Sequence, residues 1–318
     1  MKKAYAETRD GQVHYVTAGE GEPLLLMHET PRSWRSYALM IPHLSTSFRV
    51  LAMDTPGFGN SDGAPDYYGI EDYAENVLSF LDALGIERTH VVGEKTGAAI
   101  AIELAIKAPD RVGRMVLSAL PFILNEEERA FRRGQVLSRD LIARAADGSH
   151  VSRIWQWLLE TRIPTGRRQS LAPVDMDLLS EIMLDALNAG PAWKRMEVRM
   201  SNYDPVPRLP LVHAPTLVTG VKGEGTAIYT TRVHEVGAAV PNSAITVIEG
   251  ADGRVNHTHA GVQRDNLRFP FPQSQLTVVA PARIVRAPQI TAWEAHLRQE
   301  DDYAESSRFA RELAEVAP

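Results

Sequence analysis

The sequence predicts an α/β protein with a doubly wound, mostly parallel sheet and an inserted α-helical cap. Two observations carry this. Short, continuous apolar runs alternate with amphipathic helical stretches through the first 120 residues and again after about residue 205. Between them, strand-like runs vanish and only helical patterns remain. Continuous apolar runs fit strands buried on both faces, as in a parallel sheet. Strand–helix alternation of this length implies right-handed βαβ units. At 318 residues the chain is long enough for one large α/β domain with an insertion.

The elements read in order as follows. Gln12 to Ala18 forms a strand, and the turn Gly19-Glu20-Gly21-Glu22-Pro23 makes a hairpin with the apolar run Leu24 to Met27. Further strands follow at Phe48 to Met53, His90 to Val92 and Arg114 to Ser118. Asp72 to Leu84 places Tyr73, Val77, Phe80, Leu81 and Leu84 on one helical stripe, closed by Gly85. Thr96 to Ala108 is a helix ending at Pro109. The cap helices are Glu126 to Arg133, Ser138 to Ala146, Val151 to Thr161, Asp175 to Ala189 and Pro191 to Arg199. Strands return at Pro215 to Gly220 and Ala244 to Ile248, with a helix at Thr230 to Val240 between them. Beyond Gly250 the pattern weakens, with a strand-like Gln275 to Val279 and a helical tail from Ile290 to Ala317. The expected division is 1–120 and 206–318 for the core, with an atypical C-terminal extension, and 121–205 for the cap.

Composition narrows the function. The net charge is −6, and basic pairs such as Arg132-Arg133 and Arg167-Arg168 are short and mixed with acids, so nucleic acid is not an expected partner. There are no cysteines, which excludes disulfides, thiolate catalysis and Cys-ligated metals. Met1-Lys2-Lys3-Ala4-Tyr5-Ala6-Glu7 has no apolar segment after its first residues. No apolar run approaches the roughly 20 residues that span a bilayer. A soluble, cytoplasmic protein without membrane contact is expected. Its oligomeric state is left open, a homo-oligomer included.

The chemistry centres on Val91-Val92-Gly93-Glu94-Lys95-Thr96-Gly97-Ala98-Ala99. It has the form G-x-Nu-x-G between a strand and a helix. In such an elbow the central residue is strained, and glycines two positions away let strand and helix pack closely. With this motif in its strand–turn–helix context, the chain resembles the α/β-hydrolase superfamily. Leu24 to Trp34 matches the strand and oxyanion loop, and Asp54-Thr55-Pro56-Gly57-Phe58-Gly59-Asn60-Ser61-Asp62 matches the loop D-x-P-G-x-G-x-S-D. Within the superfamily it is similar to a subgroup carrying His28-Glu29-Thr30-Pro31-Arg32-Ser33-Trp34, Thr96-Gly97-Ala98 and Asp147-Gly148-Ser149-His150. That subgroup often lacks serine at the elbow and has histidine there instead. The resemblance implies the α/β-hydrolase fold. It does not imply the usual relay, because Lys95 stands where the nucleophile would be. The nearest carboxylate after Gly220 is Glu224, and the usual C-terminal G-x-G-H is replaced by Gly250-Ala251-Asp252-Gly253, with His257 and His259 beyond.

Lys95 admits three roles. Beside a helix N-terminus and under a cap, its amine is expected to shift towards the neutral form that Schiff-base chemistry needs. Glu94 and Glu29 oppose that shift. As a cation it would bind a carboxylate or stabilise an enolate, or it would simply pair with Glu29. Glu29 replaces the usual glycine of the oxyanion loop. It reads either as a general base or as an ion-pair partner of Lys95 or Arg32. His28 reads as a catalytic group or as a support for its loop. His150 reads as a pocket residue, or Asp147 and Ser149 cap the helix that carries it. The H-x-H of His257 and His259 lacks a third ligand, so no metal is expected, and no cofactor either. The expected catalytic set is Lys95, Glu29, His28 and His150. The expected substrate-binding set is Thr30, Trp34, Glu94, Thr96, Asp147 and Trp155, with aromatic packing the default for the tryptophans. The function expected is an enzyme acting on a small carbonyl compound by hydrolysis or by C–C cleavage or formation. The alternative is a ligand-binding pseudoenzyme.

Overall fold

The computed structural model describes residues 1–123, 125–138, 143–162, 173–222 and 232–249. Eight strands form one sheet: β1 (Lys2–Thr8), β2 (Gly11–Ala18), β3 (Glu22–Met27), β4 (Phe48–Met53), β5 (Thr89–Glu94), β6 (Val112–Ser118), β7 (Thr216–Lys222) and β8 (Ser243–Glu249). Their order is β1-β2-β4-β3-β5-β6-β7-β8. β1 and β2 are antiparallel to their neighbours, and the other six run parallel. The helices are α1 (Ile41–Leu44), α2 (Ile70–Ala83), α3 (Thr96–Lys107), α4 (Glu126–Ser138), α5 (Ser149–Arg162), α6 (Pro173–Ala189), α7 (Pro191–Asn202) and α8 (Val233–Ala239).

Side chains alternate across a strand, so each parallel strand feeds two cores. Leu25, Leu51, Val91 and Met115 face one way and pack with α2, α3 and α8. Leu24, Leu26, Val50, Val92 and Val116 face the other way, onto Trp34, Tyr37, Met40 and α1. The central helix α3 is buried from Thr96 to Ala105, which explains why it reads as uniformly apolar. Gly85 closes the turn after α2 at φ 63°, as the sequence predicts.

Helices α4 to α7 lie between β6 and β7 in the chain. They are tied to the sheet domain by polar contacts. Arg199 of α7 donates to the carbonyls of Pro65 and Asp66 at 3.2 and 2.9 Å and sits over the Tyr73 ring. Tyr203 and Arg208, just after α7, both donate to buried Glu103 of α3, at 2.7 and 2.8 Å. Trp157 of α5 and Trp193 of α7 meet edge to face at 5.0 Å.

The structure corrects two sequence expectations. The hairpin is β1 with β2, not β2 with β3: Lys2 pairs Thr17 and Thr8 pairs Gly11. β1 escapes pattern reading because it is an edge strand on which only Ala6 is buried. Residues 143–146 are not helical, so the helix expected over Ser138 to Ala146 is not formed there. Instead α4 runs on to Ser138, and α5 starts at Ser149. The strand-like and helical stretches expected beyond Gly250 lie outside the described residues, as do Glu224, His257 and His259.

Candidate active site

Lys95 joins β5 to α3 with φ 47° and ψ −102°. A side chain bears real strain there, and such positions persist only where surrounding structure over-determines them. Here the surroundings are explicit. The Lys95 N–H donates to the Ser118 carbonyl at 2.9 Å, and its own carbonyl accepts from Ala98 and Ala99. The two flanking glycines are sterically required. A Cβ on Gly97 would lie 2.1 Å from the Met27 carbonyl oxygen, and one on Gly93 would lie 2.3 Å from the Gly97 oxygen. The elbow read from the sequence is therefore present, with an amine at its tip.

That amine donates to Oε2 of Glu29. Both side chains are largely enclosed, Lys95 at 12% exposure and Glu29 at 7%. Glu29 sits just beyond β3, in a turn closed by the Arg32 N–H on the Glu29 carbonyl at 2.8 Å. Of the two partners considered for Glu29, Lys95 is the one it meets. Arg32 instead points Nε at Asp185 of α6, at 3.1 Å. Ser33 Oγ donates to the other Asp185 oxygen at 2.9 Å, and Arg35 approaches it at 3.4 Å. The Glu29 loop is thus clamped to the helical insertion through a carboxylate that is itself buried.

His28 is buried and fully engaged. Its Nδ1 bonds the Glu29 carbonyl at 2.8 Å, and its Nε2 lies 3.1 Å from both the N–H and the hydroxyl of Thr55. Nδ1 donates and Nε2 accepts, which fixes one neutral tautomer. Burial pushes its pKa down. The ring holds the oxyanion-type loop against the Asp54–Asp62 loop, as the supporting reading has it. It has no ring nitrogen left for a substrate, contrary to its place in the catalytic set. His150 turns back on its own segment, Nδ1 accepting from the Ala145 N–H at 3.3 Å. Asp147 is exposed and accepts from the Ser149 N–H at 3.0 Å, a contact that lowers its pKa. It shapes the turn before α5, as expected of a capping residue, and offers no enclosed substrate contact.

The substrate-binding set also divides. Trp34 packs on the far core with Lys3 and Arg35 against its ring, away from the elbow tip. Glu94 is buried at the end of β5, and its charge, like that of Glu29, is felt by Tyr37, whose hydroxyl donates to the Met27 carbonyl at 2.8 Å. Thr30 and Thr96 are buried neighbours in sequence of Glu29 and Lys95. Trp155 is half-buried against the main core. Two site groups have no counterpart in the sequence expectations: Asp185, and Glu197 of α7, which feels the charges of Lys95 and Glu29. Both stand on the buried stripe of their helices, Asp185 three residues after Ile182 and Glu197 four after Trp193. A charge on an apolar stripe was the available signal. Among the described residues no cluster of three His, Asp or Glu side chains could hold a metal ion, and no helix there is long and apolar enough to cross a membrane.

Comparison with known proteins agrees with this architecture. A family model described as the alpha/beta hydrolase fold matches residues 22–172, just under half of the chain. The chain is 39% identical over 114 residues to a 2-hydroxy-6-oxo-6-phenylhexa-2,4-dienoate hydrolase of Comamonas testosteroni, covering 34% of this chain and 40% of that one. It is 33% identical over 114 residues to a soluble epoxide hydrolase of Corynebacterium sp. (strain C12), covering 36% and 40%. The alignments thus span 40% of the length of each of these relatives. In fold, it is similar to a hydrolase from Pseudomonas aeruginosa PA01 with TM-score 0.69 at 21% identity, covering 84% of this chain and 97% of that one. The enol-lactonase from Burkholderia xenovorans LB400 gives 0.68 at 20%, covering 83% and 98%. The chain has the α/β-hydrolase fold.

Proposed function

We propose that this chain is a hydrolase of small carbonyl compounds that uses Glu29 and Lys95 in place of a nucleophilic relay. The observation that carries the reading is the Lys95–Glu29 pair at the strained tip of the elbow. Stability is a poor explanation for it. Two unit charges at 4 Å attract by about 4 kcal/mol at an effective dielectric of 20. Desolvation costs several kcal/mol for each ion, so a buried pair gains little over apolar packing. A strained residue and two buried charges are instead what a reaction site requires.

In this reading helices α4 to α7 form a cap over the site. Glu29 takes a proton from a water molecule, and the water oxygen attacks the substrate carbonyl carbon. The Lys95 ammonium stabilises the oxyanion that forms. The C–C version through a Lys95 Schiff base requires the pair to part first, so hydrolysis fits the observed state better. The names of the two relatives, one a dienoate hydrolase and one an epoxide hydrolase, agree with hydrolysis by water. A second reading rests on the same contact: because each ion satisfies the other, the site also suits a ligand-binding pseudoenzyme.

Turnover of p-nitrophenyl acetate, a δ-lactone and a β-diketone separates the two readings. Hydrolysis of at least one is expected, falling more than about a hundredfold in Glu29→Gln. No turnover of any, or turnover indifferent to Glu29→Gln, would overturn the hydrolase and leave the receptor.

A further inference from the structure

β1 stands at the end of the strand order, and among the described residues it pairs with β2 alone. Which backbone groups it presents to its open side follows from β2. His14, opposite Tyr5, donates its N–H to Ser61 Oγ at 2.9 Å, and its carbonyl accepts from the Asp54 N–H at 2.9 Å. Gln12, opposite Glu7, donates its N–H to the Asp62 carboxylate at 2.8 Å, and its carbonyl accepts from the Asp62 N–H at 2.9 Å. Both residues turn their backbone groups away from β1. Opposed residues of an antiparallel pair either bond each other or both face outward. Tyr5 and Glu7 therefore present N–H and C=O to the free edge, and so does Lys3, two residues before Tyr5. The three side chains share one face of the strand. All three are exposed, Tyr5 at 54%, while Ala6 on the other face is buried. Such an edge is an open template, which proteins blunt with proline, a bulge or unmatched charge. β1 has no proline, and its register with β2 runs unbroken from Lys2 to Thr8.

We propose that the free edge of β1 docks a second copy of this chain, the two β1 strands pairing antiparallel about a two-fold axis at Tyr5. In that register Tyr5 meets the partner's Tyr5, and Lys3 lies directly opposite the partner's Glu7. Each opposed pair exchanges both backbone bonds, with Cα atoms about 5.5 Å apart. Lys3 and Glu7 stand on one face, so an ammonium meets a carboxylate twice across the axis. The neighbouring registers lose this match. An axis at Ala6 sets Lys3 against the partner's Arg9, a like charge. An axis at Ala4 sets Lys3 against the partner's Tyr5 and Glu7 against the partner's Met1. The charges on β1 therefore select one register, and they select a second β1 as the occupant. The two exposed Tyr5 rings come side by side and cover apolar surface. A strand edge alone is a small interface, so the dimer is reversible rather than obligate. β2, β4 and β3 stand between β1 and β5 in the sheet, so the pairing is independent of the elbow and of the hydrolase reading.

Sedimentation velocity of the full chain from about 1 to 100 µM tests this. A monomer–dimer equilibrium within that range is expected. Lys3→Glu sets two carboxylates opposite each other, and Glu7→Lys sets two ammonium groups opposite each other. Each should raise the dissociation constant more than about tenfold. The double variant Lys3→Glu, Glu7→Lys exchanges the two charges and should dimerise like the wild type. An equimolar mixture of the two single variants should form a heterodimer, because each supplies the charges the other lacks. Both positions are exposed, and unchanged circular dichroism confirms the fold. Amide hydrogen exchange reads the edge directly. The N–H groups of Lys3, Tyr5 and Glu7 should become protected as concentration rises, while those of Ala4 and Ala6, already bonded to β2, should not change. A chain that stays monomeric at about 100 µM would overturn the proposal. So would a dimer indifferent to both single variants, a mixture of them that fails to associate, or exchange at Tyr5 that ignores concentration.

Discussion

Replacing Lys95 with methionine is expected to lower stability at neutral pH by about 3–5 kcal/mol, the cost of leaving one member of a buried pair uncompensated. It should also reduce ester turnover by about 10²–10³, the scale set by loss of an oxyanion stabiliser. The two effects have different pH signatures. Without its cation, the enclosed Glu29 carboxylate is driven to take up a proton in the folded state. The folded variant then binds more protons than the unfolded chain over the range above the ordinary glutamate value. Its stability accordingly falls as pH rises, and the deficit against the wild type shrinks between pH 7 and pH 5. Urea denaturation at the two pH values measures this. The double variant Lys95→Met, Glu29→Gln removes both charges and should be more stable than Lys95→Met alone, because the two side chains are in contact. A deficit that is independent of pH would show that the pair is not buried as described.

The second large effect is expected at Asp185. This carboxylate is almost fully enclosed and receives Arg32, Ser33 and Arg35. In Asp185→Leu the Arg32 guanidinium, itself buried, loses its main counter-ion. Among the described residues its other ion-pair partner is Glu181, at 3.8 Å and well exposed. A loss of about 3–5 kcal/mol in denaturant unfolding is expected. Asp185→Asn retains a hydrogen-bond acceptor and should cost less. A loss under about 0.5 kcal/mol for Asp185→Leu, the size of a plain surface change, would mean that the clamp between loop and insertion does not hold. The consequence for function is indirect. Arg32 closes the turn on the Glu29 carbonyl, so a loosened clamp lets Glu29 move away from Lys95.

The sequence was informative where one physical signal dominated. β3 to β6 are buried on both faces and read directly as apolar runs. The elbow was legible because Gly93 and Gly97 leave no room for a Cβ and because Lys95 breaks the expected chemistry in full view. β1 was invisible, since an edge strand buries too little to leave a pattern. Among site residues, Lys95 and Glu29 were found because they replace motif positions. Trp34, His150 and Asp147 make their described contacts elsewhere than with Lys95 or Glu29, for one common reason. Sequence distance from the elbow does not say which sheet face or which turn a side chain serves. Trp34, five residues from Glu29, lies on the far core. Asp185 and Glu197 were missed because they belong to an insertion whose docking depends on tertiary contacts about 90 to 100 positions away from the elbow in the chain.

In the proposed hydrolase a carboxylate–ammonium pair replaces the nucleophile at the elbow, so no acyl group is ever carried by the protein. Pre-steady-state mixing with excess p-nitrophenyl acetate, followed by mass analysis of the intact chain, measures this directly. The absence of cysteine removes the commonest source of spurious acylation. Linear p-nitrophenol release from the first turnover and a protein of unchanged mass are expected. A burst equal to the protein concentration, with the acyl group on Lys95 or Glu29, would contradict it.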